Sequence, residues 1–175
     1  DRVADVVYFN PGDRDYPPAL NVLQSSDRDQ EALASELMVG LKRIFKGRSE
    51  FGPRMEWLLR QTVRALLASE GDKTLWDIPR FLTNQEHRLS ILATIADPDL
   101  RDFWSNRNSL PPHVTDPIIS RLSTFLDRPT IRNIVTQPGL IDLGQLMNDG
   151  KILVFNLSKG ILGEENAQVL GSFIL

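Results

Sequence analysis

The sequence predicts a mostly α protein in which a multi-helix domain is inserted between two parallel strands. Two apolar runs near the ends of the chain, within residues 2–9 and 151–157, are typical of strands buried on both faces, as in parallel sheets. The stretch between them carries apolar residues at helical spacing. A parallel pair needs a crossover connection, and one of this length can form a domain of its own.

The two predicted strands and the helical stretch between them divide the chain into three parts. Residues 1–19 hold the first strand and its connection, residues 20–148 form the all-α domain, and residues 149–175 hold the second strand and a following helix. Polar turn residues mark both junctions, at 10–13 and at 148–150. Because two strands alone make a marginal sheet, we expect the missing strands to belong to a larger protein of which this chain is a piece.

The composition of the chain is that of a soluble globular protein, with 41% hydrophobic and 25% charged residues. The absence of cysteine excludes disulfides and thiolate chemistry, and two histidines, His87 and His113, are too few for an imidazole metal cluster. No apolar run approaches the roughly 18 residues of a membrane span, and no signal peptide is visible, so we expect a cytoplasmic protein. The net charge of −3 does not favour salt-resistant nucleic-acid binding by the whole chain.

Local signals predict the first helix of the inserted domain. A serine followed by acidic residues suits the free N–H groups of a helix start, so the helix is predicted to begin at Ser25 or Ser26. Gly47 is predicted to close it. Its inward face, at helical spacing, comprises Leu33, Leu37, Leu41, Ile44 and Phe45.

Prolines and capping residues predict where the later helices begin. Pro53, Pro98 and Pro129 fit first helical positions, because a proline lacks the N–H that would be unpaired there. Thr83 and Glu86 form a capping box that opens another helix. Further helix starts are predicted at Thr74, Thr115 and Asp142.

Polar residues follow the second strand and form the first candidate site. Asn156, Ser158 and Lys159 come directly after the apolar run, and Glu164 begins the next helix. In open α/β sheets, ligands bind at the carboxyl ends of parallel strands. These residues are therefore predicted to border a nucleotide or a subunit interface, with Lys159 offering charge to phosphate. The alternative is a polar loop in which Glu164 serves only the helix N-terminus.

A basic face on the second helix forms the second candidate site. Residues 42–64 contain seven basic side chains against two acidic ones. At helical spacing, Arg54, Trp57, Arg60 and Arg64 fall opposite the apolar stripe of this helix. Basic residues interleaved with an aromatic can hold a nucleic-acid backbone and stack a base. The alternative is that the tryptophan and the arginine stems pack on a neighbouring helix.

Several segments of the chain carry a resemblance to a known family. They are DVVYFNPGDRDYPPALNVL, FGPRMEWLLRQTVRALL, TLWDIPRFLT, IISRLSTFLDRPTIRNIVTQP and DLGQLMNDGKILVFNLSKGILGEENAQVLGSFIL. The most specific parts are NLSKG and LGEENAQVLGSF. With these segments the chain resembles the conjugative coupling proteins of type IV secretion and the wider HerA/FtsK-type hexameric DNA-pumping ATPases.

The resemblance implies that the two strands are neighbours in a RecA-like α/β core, present here only in part, and that the helices are the family's all-α domain. The family's phosphate-binding loop lies upstream of the first strand, and its acidic Walker B strand lies downstream of the last helix. This chain contains no G-x-x-x-x-G-K-[ST] and no apolar strand that ends in Asp-Glu. We therefore expect the chain alone to be inactive and to hold no cofactor, whereas ATP and Mg²⁺ are implied for the intact parent.

The resemblance also implies partners. The intact parent would be a cytoplasmic, membrane-associated homo-hexamer that moves DNA or a relaxase-type protein–DNA complex and contacts secretion-system components. Arg132 could act in trans as an arginine finger, because a planar guanidinium stabilises charge on a transferring phosphoryl group. An ordinary salt bridge is the alternative for Arg132. The alternative function is a non-catalytic helical module for protein–protein interaction.

Overall fold

The described part of the chain is mostly helical and holds one two-stranded parallel sheet. The strands are β1 (Val6–Phe9) and β2 (Ile152–Phe155). The helices are α1 (Gln30–Ile44), α2 (Pro53–Ala68), α3 (Asp77–Thr83), α4 (Gln85–Leu92), α5 (Pro98–Ser105), α6 (Pro112–Leu126), α7 (Pro129–Val135), α8 (Leu143–Asn148), α9 (Lys159–Leu162) and α10 (Glu164–Ile174). The computed structural model describes residues 2–13, 15–24, 29–45, 51–107, 110–139, 141 and 143–174.

The two strands pair in parallel, as the sequence predicts. The register places Val6 opposite Ile152 and Phe9 opposite Phe155, and the pairing covers four residues of each strand. Both strands are shorter than the predicted ranges. β1 starts later than predicted because Val3–Asp5 forms a single 3₁₀ turn before it. Helices α1 to α8 all lie between the two strands along the chain. The order of a helical part between two paired parallel strands is therefore confirmed.

The sheet is covered on one face, and the prediction of burial on both faces is wrong for the described residues. Phe9 is buried in the same hydrophobic cluster as Leu162 and Leu170, and its ring lies 5.4 Å from that of Phe155. The side chains that point the other way are exposed, since no described element packs over them. These exposed side chains are Val6, Tyr8, Ile152 and Val154.

The three predicted proline starts are confirmed. Pro53, Pro98 and Pro129 each occupy the first position of their helices. At α5 the proline is preceded by Asp97, whose carboxylate accepts hydrogen bonds from the backbone N–H groups of Asp99 and Leu100. The first-position proline and the N-cap carboxylate both concern the N–H groups of the first turn that have no intrahelical partner. Both therefore depend on local sequence alone.

The predicted capping box at Thr83 is wrong by one residue. Asn84 caps α4, and its Oδ1 accepts a hydrogen bond from the backbone N–H of His87 at 3.0 Å. The hydroxyl of Thr83 instead donates to the carbonyl of Pro79, within the preceding helix. Asparagine is as good a cap as threonine or better, so the local competition between neighbours decides the boundary.

Helix α6 also begins earlier than predicted. Its first residue is Pro112, three residues before Thr115, and Pro117 therefore lies inside the helix. The Thr115 hydroxyl donates back to the carbonyls of Pro111 and Pro112 instead of capping a new helix. Pro117 is the sixth residue of α6, where a proline supplies no N–H to the carbonyl four residues back, so the helix lacks one backbone hydrogen bond there.

Helix α1 begins at Gln30, where Asp29 accepts a hydrogen bond from the backbone N–H of Glu31 at 3.0 Å. Its predicted inward residues Leu33, Leu37 and Leu41 are buried, which confirms that face. The start predicted at Thr74 is wrong, since α3 begins at Asp77 and the carboxylate of Asp77 accepts a hydrogen bond from the backbone N–H of Thr74. The other predicted ends lie outside the described residues: Ser25, Ser26, Gly47 and Asp142.

The segment after β2 packs closely on the helical part. Helix α10 lies along α1, and Gly40 is where their backbones approach, since a Cβ there would clash with the ring of Phe173. The backbone N–H of Leu20 donates to the carbonyl of Ile134 at 2.8 Å, which fixes the connection after β1 against α7. One continuous core joins these parts. Across the described helices, none combines the length and the apolar character needed to cross a bilayer.

Candidate functional site

The predicted site residue Asn156 joins the carboxyl ends of the two strands. Its backbone N–H donates to the carbonyl of Phe9 at 2.9 Å and so continues the ladder between the strands. Its Nδ2 donates to the hydroxyl of Tyr8 at 3.1 Å and lies 3.3 Å from Oδ1 of Asn10. The two strand ends therefore present a connected set of amide and phenol groups at one edge of the sheet.

Asn10 is a member of this edge that the site prediction did not include. Its Oδ1 accepts a hydrogen bond from the backbone N–H of Gly12 at 3.1 Å, and its carbonyl accepts from Asp13 at 3.1 Å. The turn after β1 is thus organised by Asn10, and Gly12 lies close to the side chain of Ile161. The matching positions of Asn10 and Asn156, each directly after its strand, are the sequence signal that could have identified the pair.

Lys159 and Glu164 form an ion pair beside this edge. The Nζ of Lys159 lies 2.7 Å from Oε1 of Glu164, and both side chains are exposed. The hydrogen bond from Lys159 and its charge hold the pKa of Glu164 below its ordinary value. Ser158 precedes α9, and its carbonyl accepts from the N–H groups of Ile161 and Leu162. The charge of Lys159 is therefore already partnered by Glu164 at the start of α10.

Arg132 and the nearby Arg128 differ in the contacts that their guanidinium groups make. Arg132 is exposed on α7, and its guanidinium makes no ion pair or hydrogen bond with another described residue. Arg128, which directly precedes α7, donates from Nη1 to the carbonyl of Leu162 at 3.1 Å. Arg128 thereby connects α7 to the end of α9, a role that the sequence analysis did not assign. The only feature of the nearby sequence that could have drawn attention to Arg128 is its position directly before the helix-starting Pro129.

The donors described at this edge are two asparagine amides and a lysine that is already ion-paired. Nowhere in the described residues do three or more histidine, aspartate or glutamate side chains gather where they could hold a metal ion. Asn10 and Asn156 offer amides, and the nearest lysine is paired with Glu164. Phosphate binding needs several converging donors, and Lys159 would have to leave its carboxylate partner to supply one.

Two of the four residues of the predicted basic face contact α1. The Nε of Arg64 lies 3.2 Å from Oε2 of Glu31, and Nη1 of Arg60 lies 3.4 Å from the hydroxyl of Ser35. Both arginines are partly buried between the two helices. Their charges are thus engaged along the side of the helix that faces α1.

The other part of the basic face remains exposed. Trp57 is 45% exposed, and its ring meets the ring of Phe103 edge to face at 4.8 Å. The guanidinium of Arg107 lies 3.6 Å from the Phe103 ring centre and 5.1 Å from that of Trp57. We call Trp57, Phe103 and Arg107 the Trp57 cluster. Arg54, exposed one helical turn before Trp57, lies on the same face of α2.

An apolar groove lies on a different side of the molecule. It runs between α1, α8 and the C-terminal half of α10, and it has a volume of about 750 Å³. Val39 and Met147 line it and are 59% and 68% exposed. Leu20 and Phe173 also line it.

Comparison with known proteins assigns no family to the chain. No protein-family model, no curated protein and no solved structure matches it. The resemblance to coupling proteins therefore stays a prediction that depends on the sequence segments quoted above. The geometry of the two candidate sites has to carry any statement about function.

Proposed function

We propose that this chain is part of a hexameric P-loop ATPase that couples ATP hydrolysis to the translocation of DNA, or of protein-linked DNA, in conjugation or type IV secretion. The helical part would contact substrate or accessory factors, and β1 and β2 would belong to a RecA-like core on the cytoplasmic side of the membrane. The observation that carries the proposal is the parallel pairing of β1 and β2 around an inserted helical part.

The exposed face of the sheet supports the assignment to a larger core. Four apolar side chains of β1 and β2 lie uncovered on one face, and the described residues supply no strand for either outer edge. Exposed apolar patches and open edges are costly in an isolated domain, because they invite association. In a RecA-like core, further strands and helices of the parent would cover both.

The carboxyl edge of the sheet would border the nucleotide or a subunit interface in the assembled parent. Asn10 and Asn156 stand at that edge, where parallel sheets bind ligands. Lys159 is paired with Glu164 and would keep that pairing until a phosphate competes for it. The phosphate-binding loop and the acidic strand would come from other parts of the parent, and ATP would supply the energy for translocation when bound.

The exposed Arg54 and Trp57, with the partly buried Arg107 beside the Trp57 ring, support contact with a nucleic acid. Arg54 and Arg107 can neutralise phosphates, and the ring of Trp57 can stack a base. The edge-to-face contact with Phe103 and the cation over both rings hold Trp57 in one orientation. Arg60 and Arg64 are engaged with α1, so we assign DNA contact to Arg54, Trp57 and Arg107 and not to the whole predicted face.

The coding sequence on either side of this chain tests the assignment to a P-loop ATPase. We expect a G-x-x-x-x-G-K-[ST] loop upstream of β1 and an apolar strand ending in Asp-Glu downstream of α10. A parent without either motif contradicts the proposal. The isolated chain should show no ATP turnover above a buffer control, and measurable turnover would contradict the placement of the nucleotide motifs outside it.

Binding of single-stranded DNA at low salt tests the nucleic-acid contact. The double variant Arg54→Gln/Arg107→Gln and the variant Trp57→Ala should each weaken binding at least about tenfold, as fluorescence anisotropy of a labelled oligonucleotide would measure. The matched control Arg80→Gln/Arg101→Gln removes the same charge from exposed positions outside the cluster. Equal weakening in the control would mean that only net charge matters, and the assigned contact would be wrong.

A protein-docking module remains the alternative function, and the apolar groove favours it. The exposed Val39 and Met147 could receive an apolar helix of a partner. Under this alternative, the isolated chain does not bind DNA at low salt. Val39→Gln/Met147→Gln then lowers its affinity for a purified accessory protein of the transport machinery, while Arg54→Gln/Arg107→Gln does not.

A further inference from the structure

Three arginines line one cavity of about 300 Å³ between the C-terminal end of α1, the helix α6 and the first turns of α10. They are Arg43 on α1, Arg121 on α6 and Arg128 at the start of α7. Phe125 and Val169 supply apolar surface in the same cavity. None of the three arginines belongs to either candidate site predicted from the sequence.

The guanidinium groups of this cavity hold many free donors. Those of Arg43 and Arg121 make no hydrogen bond or ion pair with another described residue, and that of Arg128 uses Nη1 for the carbonyl of Leu162. Each guanidinium carries five N–H donors in a planar fork. Because almost none of these N–H groups has an acceptor among the described residues, the three guanidinium groups line the cavity with free hydrogen-bond donors.

The single acidic residue of the cavity does not neutralise this charge. Glu165 lines the cavity, but it lies in the first turn of α10, where the helix dipole already favours a negative charge. Three guanidinium groups outnumber its one carboxylate. A partly enclosed cavity with excess positive charge raises the local concentration of anions, because its walls focus the field.

We propose that this cavity binds a dianionic phosphate group, either as inorganic phosphate or as the terminal phosphate of a small organic ester. The planar guanidinium fork matches the geometry of phosphate oxygens, and two charges on the ligand balance the excess on the protein. The volume lies at the lower end of small-molecule sites, about 300–1,000 Å³, and so admits a small ligand. Phe125 and Val169 could contact the organic part of an ester.

Isothermal titration calorimetry of the whole chain with inorganic phosphate, 5′-AMP and dimethyl phosphate tests the proposal at constant ionic strength. We expect saturable binding of the first two probes and weaker binding of dimethyl phosphate, which carries one charge. Arg43→Gln and Arg121→Gln should each weaken binding by about 10- to 100-fold, the usual effect of losing a hydrogen bond to a charged group. Tighter binding of 5′-AMP identifies an ester as the ligand, and equal binding identifies free phosphate.

Arg101→Gln is the matched control, because Arg101 is exposed on α5 and does not line the cavity. Circular dichroism checks that each variant is folded, and Arg43 and Arg121 are chosen because their side chains hold no described contact that folding needs. Phosphorus NMR of the wild-type chain supplies a second readout, the broadening of the phosphate signal. No saturable binding of phosphate or 5′-AMP, equal binding of dimethyl phosphate, or equal loss in Arg101→Gln would overturn the proposal.

Discussion

The Nη1 of Arg128 lies 3.1 Å from the carbonyl oxygen of Leu162, and this hydrogen bond joins the start of α7 to the end of α9. Arg128 belongs to the helical part and Leu162 to the segment after β2, so their contact ties the inserted helices to that segment. The next residue, Gly163, has a φ of +79°, which an L side chain rarely adopts, and a Cβ added there would lie 3.0 Å from the same Nη1. The turn between α9 and α10 is thus shaped around one arginine.

Replacing Arg128 should loosen this junction. Arg128→Gln is expected to lower the free energy of unfolding by about 1 kcal/mol, because a part-buried hydrogen bond to the carbonyl of Leu162 is lost. Urea unfolding at neutral pH measures the change, and Arg101→Gln is the control for the loss of one positive charge. The same change in both variants would show that the contact with Leu162 contributes nothing.

Two glycines only three residues apart should respond differently to alanine. Gly163→Ala is expected to cost about 1–2 kcal/mol of unfolding free energy, because alanine is strained at positive φ and its Cβ would crowd Arg128. Gly160→Ala lies within α9, where the Cβ would meet only the hydroxyl of Ser158 at 3.7 Å, so it should be neutral or stabilising. Equal losses at the two positions would contradict this account of the turn.

The close approach of α1 and α10 should depend on Gly40. Gly40→Ala is expected to destabilise the chain by about 1–3 kcal/mol, despite the better helix propensity of alanine, because the new Cβ would clash with the ring of Phe173. The double variant Gly40→Ala/Phe173→Leu should lose less than the sum of its single variants. Denaturant unfolding of all four chains gives the coupling energy, and strict additivity would mean that the two residues do not meet.

Asp5 should make stability depend on pH in the acid range. Its Oδ1 lies 3.0 Å from Nζ of Lys151 and its Oδ2 lies 3.1 Å from Nε of Arg2. The hydrogen bond from Lys151, and then that from Arg2, hold the pKa of Asp5 below its ordinary value. Because the folded-state pKa is the lower one, the stabilisation is present above the unfolded-state pKa and is lost as the pH falls through the folded-state pKa.

The variant Asp5→Asn should therefore be modestly less stable than the wild type at neutral pH. The difference should shrink as the pH falls through the titration range of Asp5, as unfolding curves at a series of pH values would measure. Asp102→Asn is the control, because that carboxylate makes no ion pair with a described residue. A difference that stays constant down to acid pH would contradict the ion-paired role of Asp5.

Part of this fold could be predicted from the sequence because it depends on local stereochemistry. Pro53, Pro98 and Pro129 begin helices because a proline in the first turn loses no hydrogen bond, whatever packs around it. The apolar runs of β1 and β2 and the long connection between them were enough to predict a parallel pair. Even so, the start of α4 was missed by one residue, because Asn84 is the stronger cap beside Thr83, whose hydroxyl donates to the carbonyl of Pro79 instead.

The side-chain contacts of the candidate sites lay beyond such local signals. Whether Arg60 and Arg64 face solvent or α1, and whether Arg107 reaches the ring of Trp57, depends on how helices distant in the chain pack together. The same is true of Arg128 and Leu162. Sequence patterns predict backbone conformation, because it depends on interactions within a few residues. They also predict which face of each helix is polar and which is apolar. Which element contacts a given helix face is decided only by tertiary packing. Many arrangements are compatible with the same polar and apolar faces, and excluded volume and hydrogen-bond geometry select one of them.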